Sequence, residues 1–226
     1  MKIVEPGVVI ITKVDHDDIL KRIEDSGRIC YKSDSKGNPG AFVRNLISRG
    51  HTSVLEHISI TFDIICDRGV SHELVRHRIA SYSQESTRYV NYGKKDIEFV
   101  KPIDLKVFDK SYDVWETSCI EAERSYKTML ENGCSPQIAR SVLNNSLKTK
   151  IRMTMNLRSL INFFTLRCAS SAHPDMRLIA ICMLLWFKER IPEVFDSIPY
   201  DKKFVIEKCL YDDYASYVEE GYDELD

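Results

Sequence analysis

Ile58-Ser59-Ile60-Thr61-Phe62-Asp63-Ile64 alternates apolar and polar residues without a break. Successive side chains of a strand point to opposite faces, so this period of two predicts a strand with one covered face. The alternation returns in Ile151-Arg152-Met153-Thr154-Met155-Asn156, and the stretch 8–14, rich in β-branched residues, and the short stretch 97–100 predict two more strands. Elsewhere the period lengthens to three and four. Phe108, Tyr112, Trp115, Cys119, Ala122, Tyr126 and Met129 make the stripe of an amphipathic helix within 104–133. Helices are also expected at 15–28, 41–48, 157–168 and 174–189, and from a cap at Ser71 to about residue 80. Ser53-Val54-Leu55-Glu56 has the spacing of a capping box, Ser135-Pro136 that of a cap with proline at the first helical position, and 81–96 reads as a polar structured loop. Strands and helices without regular alternation predict an α+β fold, a single domain with a mixed sheet packed by long helices, rather than a doubly wound one.

The 226 residues, 43% hydrophobic, suffice for a sizeable core, and a net charge of -2 gives no overall field toward nucleic acid or membrane. The body is expected over 1–211. Residues 212–226 hold seven acidic residues and no basic one, which predicts a solvated tail. Cysteines at 30, 66, 119, 134, 168, 182 and 209 are widely spaced with no Cys-x-x-Cys pair, as expected of reduced thiols in the cytoplasm. Met1 to Pro6 lacks the apolar stretch of a secretory signal, and the apolar run 178–187 is too short to span a bilayer.

Two features point to an anionic ligand. Residues 132–174 contain no Asp or Glu yet carry Arg140, Lys148, Lys150, Arg152, Arg158 and Arg167. Arg76-His77-Arg78 precedes a loop rich in hydroxyl and amide groups, Ser81-Tyr82-Ser83-Gln84-Glu85-Ser86-Thr87, and then Arg88. Guanidinium forks and hydroxyls suit phosphate oxygens. On composition alone these cations equally suit ion pairs with distant acids, a helix dipole, or a nucleic-acid-binding module. The chain has no Gly-x-Gly-x-x-Gly, no Gly-Lys-Ser/Thr loop and no His-Glu-x-x-His. Ser86 lacks the flanking glycines of a nucleophile elbow, so it reads as a hydrogen-bond donor.

The spacing Arg76-His77-Arg78-x7-Ser86 resembles the signature of flavin-dependent thymidylate synthases, and Ser81 to Tyr89 agrees around it. Further similarity lies in Gly50-His51, Glu56-His57, Ala139-Arg140-Ser141-Val142-Leu143, Asn156-Leu157-Arg158-Ser159-Leu160, Asn162-Phe163-Phe164 and Leu166-Arg167. The resemblance implies that family's fold and conversion of dUMP to dTMP. It also implies 5,10-methylenetetrahydrofolate as carbon donor, FAD as hydride source, NADPH as reductant, and no thiol nucleophile.

By the same resemblance, Ser53, Arg76, His77, Arg78, Gln84, Asn156, Arg158 and Asn162 contact FAD. Glu73, Arg76, Gln84, Glu85, Ser86, Thr87, Arg88 and Arg140 surround dUMP, with Arg140 arriving from another subunit of a homotetramer. Arg167 is the catalytic residue, set against the pyrimidine to favour its ionised form. His51 and Glu56 match positions near flavin and folate. The four-residue step from Arg158 to Asn162 places both on one helix face, with Leu160 and Phe164 turned to the core. Glu73 stands where the family has glutamine, Asn144 where proline is common, and Ala172-His173-Pro174-Asp175-Met176-Arg177 replaces Ala-Gln-Trp-Glu-Ile-Arg.

Overall fold

The computed structural model of the chain describes residues 1–35, 37–204 and 211–213. Strands β1 (Lys2–Val4) and β2 (Gly7–Ile10) lead into helices α1 (His16–Tyr31) and α2 (Pro39–Ser48) and a 3-10 turn, Ser53–His57. β3 (Ser59–Asp67), α3 (Arg68–Leu74), β4 (Ser81–Gln84) and β5 (Glu98–Val100) follow. Then come α4 (Lys110–Glu131), α5 (Pro136–Ala139), β6 (Lys148–Asn156), α6 (Leu157–Arg167), α7 (Pro174–Arg190), α8 (Pro192–Phe195) and β7 (Tyr211–Asp213). Five strands form a sheet in the order β4-β6-β3-β2-β7, and β1 pairs separately with β5. The fold is α+β. The chain divides into two compact units, Met1–Gly7 with Ile64–Arg76 and Tyr82–Arg152, and Val8–Asp63 with His77–Ser81 and Met153–Asp226.

In the first unit, β1 runs parallel to β5 with Ile3 opposite Phe99. The stripe of α4 covers this pair, since Cys119, Ala122 and Tyr126 are buried with Ile97, Phe99, Ala139 and Leu147, and Trp115 and Met129 pack against them. Phe108 departs from the expected stripe. It precedes the helix with a left-handed φ of 73° and is 96% exposed, because the helix opens only after Asp109, whose carbonyl takes the Tyr112 and Asp113 amides. The Asn144 that replaces proline accepts from the Ser146 amide at 3.1 Å, a bond that steadies the turn into β6.

In the second unit, Ile58, Ile60 and Phe62 are buried, as the alternation requires. Asp63 is buried as well, at 4% exposure, so the polar face of β3 is covered there. Thr61 and Thr154, both on polar positions, share a hydroxyl hydrogen bond of 2.9 Å. Phe164 packs its ring 5.8 Å from both Phe187 and Phe195, and Phe62 meets Phe187 at 6.0 Å. This aromatic cluster, fully buried, is the core under α6 and α7. Asp15 caps α1 by accepting from the Asp18 amide at 3.0 Å. Gly27 lets α2 approach, since a Cβ there would meet Phe42 at 2.8 Å and Leu46 at 2.9 Å.

The capping box at Ser53 is not formed. Its segment is a 3-10 turn entered from Thr52 without a side-chain cap, which leaves Ser53 exposed. Asp212 and Asp213, expected in the tail, belong to β7, which pairs parallel with β2. Residues 214–226 and Cys209 lie outside the described residues. Among the described residues no helix is long and apolar enough to cross a membrane.

Phe164→Ala is expected to cost about 3–5 kcal/mol by emptying the middle of the aromatic cluster, read as a lower midpoint in urea unfolding. His16 at the start of α1 faces Asp17 at 2.9 Å and Glu193 at 3.1 Å, and these carboxylates raise its pKa above the usual 6.5. A histidine held charged in the fold stabilises fully below about pH 6.5, and the gain is lost as pH rises through the folded value. Urea unfolding across pH 5 to 9 is therefore expected to separate wild type from His16→Gln most at the acid end.

Candidate active site

In the first unit, α3 places the opening of the arginine motif. Asp67 caps this helix by accepting from the Val70 amide at 2.6 Å, four residues earlier than the expected cap. Ser71 lies inside the helix, buried, donating to the Arg68 carbonyl at 2.9 Å. The helix therefore stops at Leu74 rather than near residue 80, and Arg76 leaves in a turn whose amide reaches the Glu73 carbonyl at 3.2 Å. Arg76 is exposed and Glu73 half-buried.

The segment expected as a loop begins with a strand, β4. Ser81 and Ser83 face out while Tyr82 and Gln84 are half-buried, a period of two that carries no aliphatic residue to reveal it. Tyr82 donates to the Leu74 carbonyl at 2.7 Å. The Gln84 amide nitrogen is committed within the unit, donating to Ser71 at 2.8 Å and Thr149 at 3.2 Å.

Beyond β4 the chain turns on Ser86, whose carbonyl takes the Tyr89 and Val90 amides at 3.1 and 2.9 Å and whose hydroxyl accepts from the Arg88 amide at 3.3 Å. Thr87 is buried at 8% exposure and accepts from an Arg140 guanidinium nitrogen at 3.3 Å. A single chain thus brings Arg140 to the Ser86–Arg88 loop. Arg88 is exposed and lies over the Tyr89 ring at 5.3 Å. The Glu85 carboxylate is engaged within the unit, accepting from the Tyr92 hydroxyl at 2.5 Å and facing Lys148 at 3.7 Å.

In the second unit, α6 presents Arg158, Asn162 and Arg167. Asn156 caps it, accepting from the Ser159 amide at 2.8 Å. Leu160 and Phe164 are buried while Arg158 and Asn162 are exposed on the opposite side, as the four-residue step requires. Arg158 is ion-paired with Glu56, two candidates that the sequence did not connect. Ser53, Arg78 and Asn162 are exposed, as is His51.

Arg167, in the last turn of α6, donates through Nε to Nε2 of His77 at 3.0 Å. The His77 ring stands edge-on to Phe163, centroids 4.9 Å apart at 79°. Burial and the neighbouring guanidinium push the His77 pKa down to about 4. At neutral pH the imidazole is therefore uncharged and accepts at Nε2, leaving its proton on Nδ1. The pair is a cation held by a neutral acceptor, a partner that orients the guanidinium without cancelling its charge.

The acid-free run does not stay unpaired. Lys148 meets Glu98 at 3.1 Å and Arg158 meets Glu56, so acids elsewhere in the chain compensate cations of this run. Burial raises the Cys168 thiol to about 12 and raises those of Cys66 and Cys119, so none is a ready thiolate. His173, in the departing stretch 172–177, faces Asp175 at 3.8 Å, and Arg177 binds Asp201 at 2.9 Å.

Residues 12–193 match the family model of the thymidylate synthase complementing protein. A flavin-dependent thymidylate synthase of Geobacter sulfurreducens is 39% identical over 180 residues, which cover 75% of this chain and 78% of that protein. Those of Pyrococcus abyssi and Saccharolobus solfataricus are 40% and 43% identical, and the matches cover 64% and 68% of this chain but only 60% and 59% of theirs. The UMP/dUMP methylase PolB from Streptomyces cacaoi, solved bound with 5-Br dUMP, shares the fold with a TM-score of 0.69 at 22% identity, covering 87% of this chain and 96% of that one. The family model spans most of the chain and the arginine motif with it, and on that footing the chain belongs to the family of flavin-dependent thymidylate synthases.

Proposed function

We propose that this protein methylates dUMP to dTMP as a flavin-dependent thymidylate synthase. Its family membership supports the reaction, and the observation that carries the site is the Arg167 guanidinium held at 3.0 Å by a neutral His77. A fixed cation stabilises negative charge on a pyrimidine ring without reorganising during reaction. Arg167 does this for the uracil of dUMP, and His77 keeps its guanidinium in place.

The residues fit FAD by their chemistry. Ser53, Arg76, Arg78 and Asn162 are exposed donors with no side-chain partner among the described residues, as a phosphate- and carbonyl-rich ligand needs. His77, Gln84, Asn156 and Arg158 complete the set. Bound FAD supplies the hydride, with NADPH as the reductant and 5,10-methylenetetrahydrofolate as carbon donor. Ser86, Arg88 and Arg140 hold the dUMP phosphate through one hydroxyl and two guanidinium groups, with Thr87 orienting Arg140. Glu73 borders the nucleotide, and His51 and Glu56 lie toward flavin and folate. The active form is a homotetramer with sites shared between subunits, working in the cytoplasm, where the six described cysteines stay unpaired.

A nucleic-acid-binding role has less support, because Lys148 and Arg158 are compensated by carboxylates rather than open to phosphates.

Purified protein is expected to be yellow or to become so with FAD, and to release tritium from C5 of labelled dUMP when NADPH and methylenetetrahydrofolate are present; colourless protein that binds no FAD would overturn the reading. Arg167→Ala is expected to lower kcat by roughly 10²–10³-fold while the unfolding midpoint changes little, as for loss of one charge-stabilising group. In an NMR titration the His77 ring is expected to hold its shifts from pH 8 to 5 and to protonate only near pH 4. The unfolded ring protonates near 6.5, so His77 lowers stability as pH falls from about 6.5 to 4.

A further inference from the structure

The loop that carries Ser86, Thr87 and Arg88 buries Thr87 and leaves Arg88 exposed. Its far limb, Val90 and Asn91, borders a cleft of about 470 Å³ shared with Tyr92, Glu85, Glu98 and Lys148. Where side chains do not pack, hydrogen bonds decide position. Glu85 and Tyr92 stand at the two ends of this loop, and Tyr92 donates its hydroxyl to the Glu85 carboxylate at 2.5 Å, closing the loop at its base. Burial, and then the Glu85 carboxylate, push the Tyr92 hydroxyl far above its usual range, so it remains a donor at all working pH.

The base is anchored on both sides. The Glu85 amide donates to the Lys150 carbonyl at 2.9 Å, and Arg68 donates to the Glu85 carbonyl at 3.3 Å. The Tyr92 amide donates to the Tyr126 hydroxyl at 3.4 Å, and their rings lie 5.9 Å apart. Lys148 faces Glu85 at 3.7 Å and Glu98 at 3.1 Å, and Lys2 reaches Glu98 at 3.2 Å, so the clasp ends a chain of alternating charges. A hydrogen bond to a charged, half-buried carboxylate is among the stronger ones, and its loss is felt by whatever it positions.

We propose that Tyr92 and Glu85 are positioning residues for dUMP, a clasp steadied by Lys148 that holds Ser86, Thr87 and Arg88 in the shape that receives the phosphate. Glu85 then acts through Tyr92 rather than by touching the nucleotide, which changes the role the resemblance implied for it. The clasp rests on the reading of Ser86 and Arg88 as the phosphate site.

Tyr92→Phe removes only the donor. It is expected to raise KM and Kd for dUMP roughly tenfold, with kcat within about twofold and FAD affinity unchanged, since one charge-assisted bond is lost and the chemistry is untouched. Glu85→Gln keeps an acceptor and is expected to be milder than Glu85→Ala. In Tyr92→Phe/Glu85→Ala the two penalties are expected to overlap, not to multiply. An unchanged KM for Tyr92→Phe, or penalties that multiply in the double variant, would overturn the clasp, as would losses of kcat and FAD affinity in proportion. Calorimetric binding of dUMP to wild-type protein separates the two failures, because wild type that binds no dUMP refutes the phosphate site, whereas wild-type binding with an unaffected variant refutes the clasp alone.

Discussion

Burial of the aromatic cluster around Phe164 is the constraint on which the candidate site of the second unit depends. Phe164, Phe187 and Phe195 exclude water from one side of α6, and with Leu160 they fix the helix about its own axis. Once that face is committed, Arg158 and Asn162 have no direction left but outward. Phe163 has a second task, since its ring supports His77, and His77 in turn holds Arg167. Packing is thereby converted into the orientation of a charge. The same desolvation that stabilises the core keeps His77 neutral and able to accept from Arg167.

The first unit solves a different problem with different means. Its loop at Ser86 buries Thr87, half-buries Ser86 and leaves Arg88 exposed. Backbone turns on the Ser86 carbonyl, the Arg140 contact with Thr87 and the pairing of Tyr92 with Glu85 take the place of apolar packing. Such a loop is cheap to distort by removing one donor, whereas the α6 face yields only to changes that open a cavity.

Much of this was legible along the chain. The apolar positions Ile58, Ile60 and Phe62, the stripe of α4 from Trp115 to Met129 and the four-residue step from Arg158 to Asn162 appear at their expected faces, because burial demands the same periodicity that the sequence displays. Boundaries were less legible. Ser71 and Asp67 are both plausible caps by type, and only the backbone path at the end of β3 selects Asp67. Ser53 to Glu56 has the letters of a capping box, yet Glu56 turns to Arg158 instead, a partner 102 residues away that no local spacing reveals. β4 has no aliphatic residues to mark its period, and Phe108 has the spacing of the α4 stripe but precedes the helix.

By itself, then, the sequence determined the α+β class, the strands and helices with a strong apolar period, and the arginine motif with its family. These are local or compositional properties, recoverable because neighbouring residues carry them. Only the tertiary structure decided that Arg167 rests on His77, ninety residues earlier, and that Arg158 meets Glu56. It also decided that Glu85 is spent on Tyr92 and Lys148. A charge is chosen by its sequence position, but its partner is chosen by which chain segments the core brings within a few ångströms, and that follows from packing.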